Sequence, residues 1–152
     1  MSMRTVTRYA GILAALSIVT CAAPLFAEKK CYAPDPRSQE RAFSRAVTTE
    51  GGKIVWLGGQ TASLPPSPDF DTQVRDVFAQ LEKTLKAQGG SLKDIVTMTA
   101  FITDARNGDR FVALRKEILK ECFPASALIT ITGLAVPGLQ VEVQGIAVIG
   151  GK

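Results

Sequence analysis

A carboxylate set among alternating valines, Val141-Glu142-Val143-Gln144, is the strongest chemical feature of this 152-residue chain. In a strand the alternation puts Glu142 on the face opposite the two valines. Partial desolvation by the apolar residues around it suits a carboxylate to positioning or deprotonating water. A solvent-facing or interfacial salt-bridge partner has the same pattern, so the strand alone leaves both readings open. The chain contains no histidine, which excludes Ser-His-Asp and Cys-His nucleophile activation and most zinc sites. No cluster with metal-ligand spacing remains, and no metal is expected.

The cysteines point to a compartment rather than to a nucleophile. Met1 to Arg8 carries Arg4 and Arg8 without an acid, Tyr9 to Ala23 is almost uncharged, and Ala22-Ala23-Pro24-Leu25-Phe26-Ala27 ends on a small residue before Glu28-Lys29-Lys30. That is the grammar of a secretory signal peptide, expected to be cut after Ala27. A retained anchor and a lipoprotein site at Cys21 are the alternatives, although the apolar run is short of the ~20 residues of a span. Beyond the leader only Cys31 and Cys122 remain. A disulfide fits an oxidising periplasmic or extracellular location, and two unpaired thiols fit the sequence equally. The leader holds two of the 18 basic residues and none of the 14 acidic ones, so the mature chain is only slightly basic. With no polybasic run, no nucleic-acid partner is expected, and no membrane association after cleavage.

The elements that must position Glu142 follow from periodicity. Residues 28–40, with Pro34 and Pro36, predict an irregular lead-in, and 41–152 a single domain. Ala42 to Thr49 and Lys53 to Gly58, flanking Gly51-Gly52, predict a hairpin. Asp69 or Asp71 is placed to cap a helix that runs to Gln88, with Val74, Val77, Phe78, Leu81 and Leu85 on one stripe and Gly89-Gly90 as its stop. Ile95 to Thr103 predicts a strand, and Arg110 to Cys122 a second helix with Phe111, Leu114, Ile118 and Cys122 on one face and Arg115 off it. Strands over Ala127 to Gly133 and Gln140 to Ile149 complete an α+β order, a mixed sheet with two helices on one face.

Several of these stretches together resemble the RidA family, also called YjgF, of reactive-intermediate deaminases. The segments are Ala42-Phe43-Ser44-Arg45-Ala46-Val47, Trp56-Leu57-Gly58-Gly59-Gln60, the run from Gly89 to Asp104, Phe123 to Ile131, and Val141 to Val148. The resemblance covers about 41–149. It implies a chorismate-mutase-like fold, a homotrimer with ligand clefts between subunits, and cofactor-independent hydrolysis of enamine and imine acids to 2-oxo acids and ammonia.

Carried over residue by residue, it places the cleft against Phe43, Gly58, Gly59, Arg115, Ser126, Ala127 and Leu128, with Glu142 as the catalytic carboxylate. The departures are specific. Where the family has an arginine that holds the substrate carboxylate, this chain has Ser126 in Pro124-Ala125-Ser126-Ala127. Phe43 stands for a tyrosine, Gly58 for a serine, Gln144 for a second acid, and Arg115 falls near a family asparagine. Losing a buried guanidinium–carboxylate contact typically costs about 2–5 kcal/mol. Arg115 is the candidate to restore that charge, unless it is a solvated surface arginine. Three function classes follow: a 2-imino or enamino acid deaminase of altered activity, a non-catalytic trimer binding a small ligand such as a 2-imino or 2-oxo acid, or a chaperone-like trimer surface.

Overall fold

The β-branched runs assemble into one mixed sheet whose buried face is set by the apolar phase of its central strands. The computed structural model describes residues 29–150. The leader, Cys21 and the cleavage position after Ala27 lie outside the described residues.

In chain order the elements are β1 (Lys30–Tyr32), α1 (Pro36–Glu40), β2 (Ala46–Thr48), β3 (Lys53–Thr61), α2 (Phe70–Ala87), β4 (Ile95–Ile102), α3 (Gly108–Leu119), β5 (Ala125–Thr130) and β6 (Val141–Ile149). The four-stranded sheet has the order β3-β6-β4-β5, and β1 pairs with β2 in a separate ribbon. The β4–β5 pair is parallel, with α3 as its crossover, and the other pairs of the large sheet are antiparallel. Val141, Val143 and Ala147 of β6 and Ile95, Met98, Ala100 and Ile102 of β4 are buried on the face covered by α2 and α3.

Helix α2 forms where cap, stripe and stop agree. The Asp69 carboxylate accepts from the Thr72 backbone N–H at 2.8 Å, and Val74, Val77, Phe78, Leu81 and Leu85 are buried. Gly89 then adopts φ +85°, and the N–H groups of Gly89 and Gly90 donate to the Lys86 and Leu85 carbonyls at 3.0 and 2.9 Å. This closes the helix in a Schellman motif, which a side chain at Gly89 would strain. Helix α3 starts earlier than expected, because a 3-10 turn over Ala105–Asn107, capped by Asp104, leads directly into it. It ends at Leu119 with Lys120 at φ +68°. Cys122 therefore lies beyond the helix rather than on its apolar face.

Two expectations are corrected at the N-terminal side. The hairpin across Gly51-Gly52 does not form: β2 pairs with β1, and β3 pairs with β6. The physical reason is competition. Ser44 forms an isolated parallel bridge with Ala125, and its hydroxyl donates to the Phe123 carbonyl at 2.6 Å, so the chain before β2 runs along β5 instead. The described part of the lead-in, from residue 29, is also regular in part: Asp35 caps α1 by accepting from the Ser38 N–H at 2.8 Å, with Pro36 in its first turn. Cys31 and Cys122 are joined by a disulfide, with Cα atoms 5.5 Å apart. Beside it, the Lys29 ammonium donates to the carbonyls of Lys93, Ile95 and Cys122 at 2.8, 2.8 and 3.3 Å. Burial pushes the Lys29 pKa down, against the pull of Asp94.

Candidate ligand-binding cleft

Ser126 and Arg115 meet. Ser126 is in register with the buried Met98, so its side chain points to the helix face of the sheet, at edge strand β5. Arg115 projects from α3 onto the same spot, and its Nη1 donates to the Ser126 hydroxyl at 2.7 Å while Nη2 donates to the Arg41 carbonyl at 2.5 Å. The expectation that Arg115 lies away from the buried side of its helix is overturned: it is only 2% exposed. Its guanidinium carbon is 5.5 Å from the centre of the Phe111 ring, one turn earlier on the buried side. Burial, and then the like charge of Arg41, push the Arg115 pKa down to about 10, which leaves it charged at neutral pH. The Nε donor of Arg115 is buried and has no hydrogen-bond partner, a costly state for a charged group.

Around this pair opens a cleft of about 240 Å³, lined by Arg37, Arg41, Phe43, Val112, Arg115, Ser126 and Leu128. Phe43 is brought to it by the bridge of Ser44 to β5, and by Ala42, which adopts φ +53°. That conformation is uncommon for a residue with a side chain and clusters where function constrains the backbone. The Arg45 guanidinium lies 5.4 Å from the Phe43 ring centre. Arg37 and Arg41 were missed by the sequence reading, although a signal was present. Asp35-Pro36 is a cap followed by a first-turn proline, and arginines at i and i+4 share a helix face.

Glu142 belongs to a different surface. It is in register with Thr61 and Phe101, and Phe101 with Ile129, so Glu142 points to the open face of the sheet, away from α2 and α3. From Ser126 it is two strands across and three residues along, roughly 14 Å in Cα positions by standard strand dimensions, and on the opposite face. Gly58 and Gly59 lie with Glu142, not with Arg115. They occupy the register shift of β3 between Leu57 and Gln60, and a Cβ on Gly59 would come within 1.9 Å of Glu142 Oε1. Gly59 thus makes room for the carboxylate. Ala127 pairs with Thr99 and also faces the open side.

Among the described residues no helix covers the open face, which carries exposed apolar side chains among polar ones. Trp56 is 77% exposed with Ile54 exposed beside it on β3, and Ile129 is exposed on β5 at the other edge of the sheet. A groove of about 280 Å³ runs over it past Trp56, Thr97, Thr99 and Gln144. The expected site residues therefore form two half-sites on opposite faces of one sheet: Phe43, Arg115, Ser126 and Leu128 on one, Gly58, Gly59, Ala127 and Glu142 on the other. Among the described residues no group of three or more His, Cys, Asp or Glu could hold a metal ion, and no helix is long and apolar enough to cross a membrane.

A mixed sheet with two helices on one face and a cleft at the parallel edge strand defines an α+β protein of the Rid type. A family model described as Endoribonuclease L-PSP matches residues 34–149, and the chain belongs to this family, that of the RidA and YjgF proteins. It is 33% identical over 113 residues, 71% of this chain and 83% of the relative, to the RutC family protein YjgH of Escherichia coli. Among solved structures it shares its fold with the Rid-family protein YyfB of Yersinia pestis (TM-score 0.73, 23% identity, 80% of this chain and 99% of that one). It also shares it with yeast Mmf1 (TM-score 0.60, 21% identity, 80% and 94%).

Proposed function

We propose that the protein binds a small 2-imino or 2-oxo acid in clefts completed between copies of the chain, and hydrolyses the imine. The observation that carries this reading is the contact between Arg115 and Ser126. The arginine that the RidA resemblance expects at position 126 is absent, and another guanidinium reaches that position from α3, with a buried donor still free. A carboxylate at this point would accept from the Ser126 hydroxyl beside the Arg115 guanidinium, and its charge would offset the desolvation of the cation.

Glu142 cannot reach a ligand held there within one chain. An exposed apolar face carrying Trp56, Ile54 and Ile129 fits burial against a second copy, and closed rings use such heterologous contacts. Association as a homotrimer brings the Glu142 half-site of one subunit to the Arg115 half-site of the next. In the hydrolysis, Glu142 takes a proton from water as its oxygen adds to the imine carbon. That proton passes to the imine nitrogen to give a carbinolamine, and the proton of the new hydroxyl then moves through Glu142 to the nitrogen as the C–N bond breaks, releasing ammonia and the 2-oxo acid. The cleft is small for an oligonucleotide, and among the described residues its lining has one ring, Phe43, rather than a run of stacking rings. The Cys31–Cys122 bridge favours an oxidising, periplasmic or extracellular setting, in keeping with the leader.

The test is 2-oxo acid release from freshly generated 2-aminoacrylate by the wild type, Arg115→Met and Glu142→Gln, with sedimentation to give the assembly state. The expected result is a trimer whose activity falls at least a hundredfold in Glu142→Gln. Binding without turnover in the wild type would convert the reading to a ligand-binding protein. A monomer in solution would refute the shared cleft.

A further inference from the structure

The charge of the cleft exceeds what one carboxylate needs. Its lining holds three guanidinium groups and no acid. Arg115 sits at the base, engaged with Ser126 and the Arg41 carbonyl. Arg37 lies in α1 and Arg41 caps its C-terminus one turn later, its N–H donating to the Arg37 carbonyl. Arg41 is paired with Asp109, whose side chain is 92% exposed, so that partner lies in water outside the lining. Arg37 has no side-chain hydrogen bond or ion pair among the described residues. The like charge of Arg41 acts on the buried Arg115, and a bound anion among the three guanidinium groups offsets that repulsion.

We infer that the ligand is a short dicarboxylic acid, its 2-imino or 2-oxo carboxylate held by Arg115 and Ser126 and its second carboxylate held by Arg37 and Arg41. This rests on the ligand-binding reading of the same cleft. The remaining lining, Phe43, Val112 and Leu128, is apolar and suits the few methylene carbons that join two carboxylates. A monocarboxylic acid of the same length leaves Arg37 without a counter-charge and places its chain end beside two cations. Charge selectivity in such a site comes as much from that unfavourable placement as from the favourable pair. Arg37 and Arg41 are then specificity-determining residues, and Arg115 the anchor common to both ligand types.

The experiment is calorimetric titration of the full mature protein with 2-oxoglutarate and with 2-oxopentanoate, which has the same carbon chain without the second carboxylate. The wild type is expected to bind 2-oxoglutarate at least about tenfold more tightly, the factor given by one charge-assisted contact. Arg37→Gln and Arg41→Gln should each reduce that preference severalfold, and both together should abolish it, with 2-oxopentanoate affinity changed less than about threefold. Arg115→Lys should weaken both ligands alike. Equal wild-type affinities for the two acids overturn the dicarboxylate inference and leave the cleft reading standing. Absence of binding by either acid, or binding of both unaffected by Arg115→Lys, overturns the cleft reading and the inference with it.

Discussion

Returning an arginine to position 126 should damage this protein, and the structure says by how much. Ser126 Oγ is 2.7 Å from Nη1 of Arg115, and Arg115, 2% exposed, has no room to withdraw. An arginine grown from the same Cα brings a second guanidinium to within about 5 Å of the first. At an effective dielectric constant near 20 the repulsion is about 3 kcal/mol. For a domain of this size, each kcal/mol moves the melting temperature by roughly 3–5 °C, so Ser126→Arg should melt about 10–15 °C below the wild type. Arg115→Asn alone should also destabilise, by about 1–3 kcal/mol, since the Arg41 carbonyl and the Ser126 hydroxyl lose a donor. The double variant removes the repulsion and restores a single guanidinium to the cleft. Its melting temperature should exceed the additive expectation by an interaction free energy of about 2 kcal/mol or more. The assay is thermal unfolding of the four proteins, followed by circular dichroism. If Ser126→Arg melts with the wild type and the cycle closes with no coupling, the two side chains do not share one site, and the exchange of arginines is not compensatory.

The Cys31–Cys122 bridge spans 91 residues, so its loop-closure contribution is about 4–5 kcal/mol. The Cys31→Ala/Cys122→Ala variant should lose about 3–5 kcal/mol in urea unfolding, and a loss below about 1 kcal/mol would contradict the chain-entropy account. Gly59→Ala should push the Glu142 carboxylate aside, because the flexible end of that side chain is what the new Cβ meets. Little change in melting temperature together with a clear loss of imine hydrolysis is expected, and unchanged turnover would separate Glu142 from the chemistry. On acidification the sign is fixed by carboxylates held below their ordinary pKa. Asp71 is held there by the Arg110 guanidinium, Glu117 by Arg75 and Asp69 by Thr72. Their contribution is present above the unfolded carboxylate range near pH 4 and is lost as pH falls through the lower folded values. Melting temperature should therefore hold from pH 7 to about 5 and decline below about 4, with a shallower decline in Asp71→Asn.

Local signals made much of the fold legible. Helix α2 was readable because the Asp69 cap, the stripe from Val74 to Leu85 and the Gly89 stop each predict the same element. Strands β4 and β6 were carried by their β-branched alternation. The β2–β3 hairpin failed because Gly51-Gly52 is a good local turn signal, while the competing partners of that segment are remote in sequence: Ala125 for Ser44, and the β1 strand held by Cys122. The site was legible by residue type and not by placement. Phe43, Arg115, Ser126 and Leu128 come together as the RidA resemblance implies. Whether Glu142 joins them depends on a second copy of the chain, and no periodicity within one chain encodes that. Burial of Arg115 was missed because α3 is covered on two sides, by the sheet and α2 and also by the segment from Arg41 to Phe43. Its polar-looking flank is therefore interior.

The three carbonyls gathered by the Lys29 ammonium have a consequence for maturation. A peptidase needs several residues of extended, accessible chain on both sides of the bond it cuts. If that bond follows Ala27, the residues on its far side are the ones that the folded body holds through Lys29, the β1–β2 ribbon and the disulfide at Cys31. Cutting and folding then compete for one short segment. On the expectation of a leader cut after Ala27, its removal would come first and closure of the N-terminal strand second, which digestion of the precursor before and after oxidative folding would test. Under that order Lys29 would be a latch, its ammonium closing on the carbonyls of Lys93, Ile95 and Cys122 after release of the chain.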